Sequence, residues 1–170
     1  MRFPTFNNPV WVWDESVCGS NLIVEDNGKV VRAKNPCTMH QSFRAKIALE
    51  NKGIFEWDII IEKYCVCSWI GICASENFNY EEFAGSQQTG WVLGSSGSCC
   101  HSFRDPVKYC PSFKSDNSKV TVHLNMSKRT CAFTVNGIKY PVVSKWNDLP
   151  SNLYPMVSLC YPGKLRIQPH

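Results

Sequence analysis

Short runs in which apolar and polar residues alternate recur along the whole chain, and Gly, Asn, Asp and Pro separate them. Residues 120–126 show the pattern best, because the even-numbered residues are apolar and the odd-numbered ones are polar. Successive side chains of a strand point to opposite faces, so one face of this segment would be buried and the other wet. No stretch keeps the three- and four-residue apolar spacing of a buried helix for three turns. The pattern therefore predicts a β protein.

Two dipeptides of the Asn-Gly type mark tight turns between such runs. The first lies in Asp26-Asn27-Gly28, between the apolar runs 22–25 and 29–32, and the second, Asn136-Gly137, follows the run 131–135. Asn and Gly adopt positive φ angles at low cost, which two-residue hairpin turns require. We therefore predict two β-hairpins.

Further strands are predicted at residues 55–62 and 68–74, where Trp57 and Trp69 occupy positions expected to face the core. Gly71 interrupts the second of these strands, which indicates a place where another backbone or side chain approaches closely. Many short strands at regular spacing are typical of a β-sandwich or a barrel.

The length of 170 residues suits one well-buried core, so we predict a single domain over residues 1–170. The net charge of +4 comes from scattered Lys and Arg residues, so no phosphate-binding stripe is visible and nucleic acid is not an expected partner. No apolar run approaches the length of a membrane helix, so we expect no membrane partner and a soluble, cytoplasmic protein.

Ten cysteines could indicate a disulfide scaffold, but such scaffolds belong mainly to short secreted chains that lack a sufficient core. We therefore expect free thiols. Several lie at apolar positions of strand-like runs, where a reduced cysteine behaves as a small buried hydrophobe; these are Cys65, Cys67, Cys73, Cys131 and Cys160.

Three groups of residues could form a catalytic or metal-binding site. Glu56, Asp58 and Glu62 would share one face of a strand, and glycosidases with related sandwich folds place paired acids on one strand. That face lies opposite the apolar one, however, and the spacing differs from the glycosidase pattern. The pairs Cys65-x-Cys67 and Cys99-Cys100-His101 lack the ligand spacing of a zinc site. We expect no catalytic residues, no metal and no cofactor.

Four segments, read in order, resemble the SPRY domain family: residues 53–59, 69–73, 90–94 and 153–159. The segment Phe133-Thr134-Val135-Asn136-Gly137 stands where that family carries an F-x-x-N-G turn. Each motif alone is weak, but five in the family's order within one domain length are an improbable coincidence. The resemblance covers roughly residues 11–168.

The resemblance implies an all-β fold, a two-sheet antiparallel β-sandwich of the SPRY or concanavalin A-like jelly-roll type. It also implies a non-enzymatic module that recognises a peptide segment or surface of another protein through loops at one rim. Such a module could be the substrate-recruiting part of a larger assembly, and a monomer is favoured. The alternative is a carbohydrate-binding, lectin-like domain, in which exposed aromatic residues stack on sugar rings.

The resemblance also implies partner-binding residues at three places in the chain. One loop follows the first hairpin, a second place follows the Gly-Trp strand, and a third loop follows the Tyr-Pro-x-x-Ser strand. The family often has Tyr before His at the second place, where this chain has Cys100 before His101. Tyr80 lies in a further loop expected to border the rim. The expected partner-binding residues are Lys34, Asn35, Pro36, Cys37, Thr38, Tyr80, Cys100, His101, Tyr161 and Pro162.

Overall fold

The structure is a computed structural model that describes residues 10–50, 52–102 and 106–170. Its regular elements in these ranges are strands, apart from one 3-10 helix at Ala84–Ser86. The strands are β1 (Trp13–Cys18), β2 (Leu22–Glu25), β3 (Val30–Ala33), β4 (Gln41–Ala45), β5 (Leu49–Glu50), β6 (Ile54–Lys63), β7 (Trp69–Cys73), β8 (Gly90–Gly94), β9 (Ser98–His101), β10 (Val107–Lys108), β11 (Lys119–Asn125), β12 (Thr130–Val135), β13 (Ile138–Lys139), β14 (Asn152–Leu159) and β15 (Lys164–Pro169).

These strands form two antiparallel sheets that pack as a sandwich. The first sheet has the order β1-β4-β14-β7-β8-β9-β10, and β5 also pairs with β14. The second has the order β13-β12-β11-β6-β15-β3-β2. One large apolar cluster with members from both sheets fills the space between them. The predicted fold class is therefore confirmed.

The inner face of β11 is buried, as the alternation predicts, but part of its outer face is buried too. Val120, Val122 and Leu124 are fully buried between the sheets. On the outer face Thr121 is buried as well, and its hydroxyl donates to Asp58 Oδ1 at 2.6 Å. His170 Nδ1 lies 3.0 Å from the same oxygen, so the end of the chain covers this part of a face that the sequence predicted to be wet.

Both predicted hairpins are confirmed. Asn136 and Gly137 join β12 to β13 with φ angles of 47° and 85°, the pair of positive angles that a two-residue turn requires. Asp26, Asn27 and Gly28 also have positive φ and lie in the turn between β2 and β3.

A second, smaller apolar layer lies on the outer face of the first sheet. Residues 75–89 pack there over Cys73, Val92, Cys100 and Met156. Trp69, predicted to face the core between the sheets, packs in this layer instead, with its ring centroid 4.5 Å from that of Phe83.

All ten cysteines are free thiols, as predicted, and eight of them are buried; Cys18 and Cys67 are half-buried. Among the residues that the structure describes, no helix has the length and apolar character needed to cross a bilayer.

Candidate functional site

Two of the predicted loops lie side by side at one end of the sandwich. The Tyr161 backbone N–H donates to the Cys37 carbonyl at 2.8 Å, and the Ala33 N–H donates to the Gly163 carbonyl at 3.1 Å. The first loop is a tight turn, because the Cys37 N–H donates to the Lys34 carbonyl at 2.9 Å. Asn35, Pro36 and Thr38 are exposed on this turn, Lys34 is half-buried, and Cys37 is buried.

A third loop, residues 64–68, joins the same end of the molecule through His40. The Cys67 carbonyl lies 2.5 Å from His40 Nε2 and accepts a hydrogen bond from the Cys65 thiol at 3.2 Å. Cys160 Sγ lies 3.9 Å from His40 Nε2. Side chains from three distant parts of the sequence therefore meet beneath the rim, and residues 64–68 were not among those predicted from the sequence.

His40, Cys65 and Cys160, which are buried or half-buried, are each next in the sequence to an exposed apolar residue. Met39 precedes His40 and is 80% exposed, Val66 follows Cys65 and is 79% exposed, and Tyr161 follows Cys160 and is 47% exposed. Met39 and Val66 lie at bends of the chain and Tyr161 lies in a turn. We call Met39, Val66 and Tyr161 the rim surface. Only Tyr161 was predicted; an apolar residue next to a Cys or His in a loop is the signal that could have found the other two.

The buried polar groups beneath the rim surface perturb one another. Burial opposes ionisation of the Cys65 thiol, but hydrogen bonds that involve His40, the Cys160 backbone and Ser68 outweigh it and lower the pKa of Cys65. Burial likewise opposes the charged form of His40, but its contacts with Cys65 and Cys67 raise the pKa of the imidazole. Burial, together with the charge of Cys65, raises the pKa of Cys160. These thiols therefore differ from the apolar core cysteines that the sequence predicted.

Tyr80 contributes its backbone to this end of the molecule and turns its ring away. Its carbonyl accepts a hydrogen bond from the Ser42 N–H at 2.8 Å, at the start of β4. Its hydroxyl lies near Cys73 and Arg44, and burial raises the pKa of the phenol. Tyr80 therefore anchors residues 75–89, which we call the covering segment because they cover the outer face of the first sheet. A direct contact of Tyr80 with a partner stays a prediction.

Cys100 and His101 lie away from the rim. Pairing across β14, β7, β8 and β9 aligns Pro155 with Ile72, Trp91 and His101. β14 ends at Leu159, four residues or about 13 Å along the strand from Pro155, and Tyr161 lies beyond that end. Cys100 is buried beneath residues 75–89.

His101 stacks on Trp91 with 4.6 Å between ring centroids and lines a separate groove of about 250 Å³ with Tyr109 and Trp146. The structure thus divides the predicted site residues between the rim and a second place near this groove.

Comparisons with known proteins place the fold. The SPRY domain of human HERC1 superposes with a TM-score of 0.76 over 92% of this chain and 97% of that chain, at 19% identity. The PSpry domain of TRIM65 gives 0.71 over 94% and 90%, at 10% identity. Stonustoxin gives 0.68 over 93% of this chain at 15% identity, and only 27% of that toxin chain is covered. No curated protein sequence matches.

Similarity at these identities shows the fold alone, and the sequence family is shown by a separate observation. The family model described as the SPRY domain matches residues 54–168, well over half of the chain. SPRY domains are generally protein-interaction modules. The match and the sandwich with its loops at one end agree: this chain belongs to the SPRY domain family.

Proposed function

We propose that this domain is a non-enzymatic recognition module that binds a short segment of another protein at the rim surface. The observation that carries the proposal is the exposure of Met39, Val66 and Tyr161 on three loops that contact one another. Eight large apolar side chains are exposed among the residues that the structure describes, and three of them belong to this one rim. Contiguous exposed apolar side chains mark interaction surfaces.

The loops that carry the rim surface are held by buried hydrogen bonds and by the sandwich beneath them. Little conformational entropy is therefore lost when a partner docks, which favours binding. Apolar side chains of the partner would contact the rim surface, while Lys34, Asn35 and Thr38 lie beside it and can bond backbone carbonyls of an extended segment. Pro36 stiffens that edge, and Pro162 adds a half-buried contact beside Tyr161.

Two of the three acidic residues that share one face of β6 support the same proposal. Asp58 accepts hydrogen bonds within the second sheet, and Glu56 Oε2 is in hydrogen-bond contact with His123 Nδ1 of the neighbouring strand. Both carboxylates are thus engaged in contacts between strands on an outer face. We further propose that the module acts as a monomer in the cytoplasm and recruits its ligand to a larger assembly.

A random peptide library selected against the purified domain tests the proposal, because it samples partner segments of any sequence. Selected peptides would then be titrated against a triple variant, Met39→Ser, Val66→Ser and Tyr161→Ala. We expect at least about tenfold weaker binding, because central apolar and aromatic anchors dominate such interfaces.

The matched control is the double variant Ile54→Ser and Ile138→Ser, which removes two exposed apolar side chains remote from the rim. It should bind like the wild type. Equal binding by the triple variant would contradict the proposal, and loss of binding in His101→Ala alone would move the site to the groove. Binding of sugars on a glycan array with no peptide selected would favour the lectin alternative.

A further inference from the structure

Beneath the rim surface, His40, Cys65 and Cys160 bring one imidazole nitrogen and two sulfurs within 4.8 Å of one another. Cys160 Sγ and His40 Nε2 are 3.9 Å apart. In a tetrahedral zinc site, with Zn–S near 2.3 Å and Zn–N near 2.0 Å, neighbouring ligand atoms are about 3.5 to 3.8 Å apart. The observed spacing therefore needs a contraction of about 1 Å or less to fit the ion.

The ligand types narrow the choice of metal. Two thiolates and an imidazole suit Zn²⁺, whereas Ca²⁺ and Mg²⁺ prefer oxygen ligands. Burial of Cys65 and Cys160 also fits a structural site, since such sites are closed to water.

The geometry points to a zinc-binding site formed by His40, Cys65 and Cys160. The ion would link the three loops that carry Met39, Val66 and Tyr161, because each ligand is the chain neighbour of one of these residues. Its effect would be to fix the relative positions of the rim side chains, as metal ligation between separate segments stabilises small folds. Metal binding can be measured without a partner, so it does not depend on the proposed function.

Cys37 is the fourth ligand that the structure offers. Its carbonyl accepts the hydrogen bond from the Tyr161 N–H, and its Sγ lies 3.9 Å from the carbonyl oxygen of Leu159, the residue before Cys160. Its thiol lies outside the group of three, but it interacts electrostatically with both Cys65 and Cys160 and is therefore close to them. A Cys₃His set is one of the standard structural zinc arrangements.

Binding would release protons and leave oxidation states unchanged. The Cys65, Cys160 and Cys37 thiols would each give a proton to solvent as the sulfur–zinc bond forms. His40 would bind through Nε2 with its proton on Nδ1, so the contact of Nε2 with the Cys67 carbonyl would be lost.

The test is metal content and spectroscopy of the full chain, purified under reducing conditions without chelators. We expect about one equivalent of zinc per chain by mass spectrometry of the metal, a fall in melting temperature on chelation, and recovery on adding zinc. Replacement by Co²⁺ should give the intense visible bands of a tetrahedral site and a sulfur-to-cobalt charge-transfer band.

The variants His40→Ala, Cys65→Ser and Cys160→Ser should each lose the metal and the charge-transfer intensity, and Cys37→Ser should weaken both. Cys67→Ser is the matched control, because its thiol lies in the same loop but faces Ser95 Oγ, 3.5 Å away. It should bind zinc like the wild type.

Circular dichroism and the proton NMR spectrum show whether each variant keeps its fold, and only folded variants are compared. Three results would overturn the site: absence of zinc and of a cobalt spectrum in the wild type, unchanged binding by folded Cys160→Ser, or a Cys65–Cys160 disulfide in protein trapped directly from cells.

Discussion

Gly71 is the residue at which the two strands β7 and β8 leave no room for a side chain. A Cβ atom added there would lie 1.9 Å from the Trp91 carbonyl oxygen and 2.9 Å from Val92 Cα. Both are backbone atoms of the paired strand, so they cannot move aside as a flexible side chain could. The sequence alone indicated a close approach here, because a glycine in the middle of an apolar strand often marks a site where another backbone comes near.

Replacing Gly71 by alanine should therefore destabilise the domain by about 3 kcal/mol or more, the upper end of overpacking effects. Gly137→Ala is the informative comparison, since its Cβ would meet nothing within 4 Å but the φ angle is +85°. Alanine there should cost only about 1 to 2 kcal/mol of backbone strain. Urea unfolding measures both free energies, and an equal or smaller loss for Gly71→Ala would show that the strands can separate to admit a methyl group.

At the scale of elements, a chain of hydrogen bonds fastens the covering segment to the first sheet. The Ala84 N–H donates to Ser158 Oγ at 3.1 Å, and Ser158 Oγ lies 2.8 Å from Ser42 Oγ. The Ser42 hydroxyl donates to the Glu82 carbonyl at 2.7 Å, so the Ser158 hydroxyl must be the donor to Ser42. The serine of the Tyr-Pro-x-x-Ser strand thus holds residues 82–84 against β14 and β4.

Replacing Ser158 by alanine should leave the buried Ala84 N–H without its acceptor and Ser42 without a donor. We expect a loss of about 1 to 3 kcal/mol of unfolding free energy. Hydrogen exchange should accelerate at Ala84 and its neighbours before it changes elsewhere, because the loss is local.

Ser16→Ala is the control, since its hydroxyl donates to Asp14 at an exposed position of β1. It should leave both measurements nearly unchanged. Uniform acceleration of exchange across the whole domain in Ser158→Ala would contradict a role confined to the covering segment.

The features that the sequence predicts depend on residues close together in the chain, whereas those that it does not predict depend on residues far apart in the chain. The turn at Asn136-Gly137 and the buried face of β11 depend on neighbours within a few residues, so local pattern predicts them. The rim depends on contacts between residues 37–40, 64–68 and 160–163, which only the pairing of distant strands brings together.

The same dependence on long-range contacts explains why the structure places several other residues differently from the sequence prediction. Cys100 and His101 are predicted at the rim from their place after a strand, but strand pairing puts them level with Met156 and Pro155, in the middle of β14. Met39 and Val66 lie in loops, where no periodicity shows which side chains face solvent. The alternation predicts that Thr121 and Asp58 face solvent, but both are buried. His170 contacts Asp58 there, and a local pattern does not predict such a long-range contact.

At the scale of the whole molecule, the family match does not say which residues are needed for the domain to fold. That match begins at residue 54, yet residues 10–50 supply β1 and β4 to the first sheet and β2 and β3 to the second. Trp13 and Phe43 from this region are buried in the common core, with their ring centroids 5.8 Å apart. Without these strands β14 and β15 would each become an edge strand.

We therefore predict that a fragment of residues 54–168 does not fold by itself, whereas the full chain unfolds in one cooperative transition. Removing the first 53 residues would expose the apolar faces of both sheets and leave unpaired edges prone to aggregation. Circular dichroism melting and proton NMR dispersion would compare the fragment with the full chain. Adding residues 1–53 as a separate peptide should restore dispersed spectra, because it returns the missing strands to both sheets. A fragment of residues 54–168 that melts cooperatively with dispersed spectra would contradict the prediction and place the folding unit within the family match.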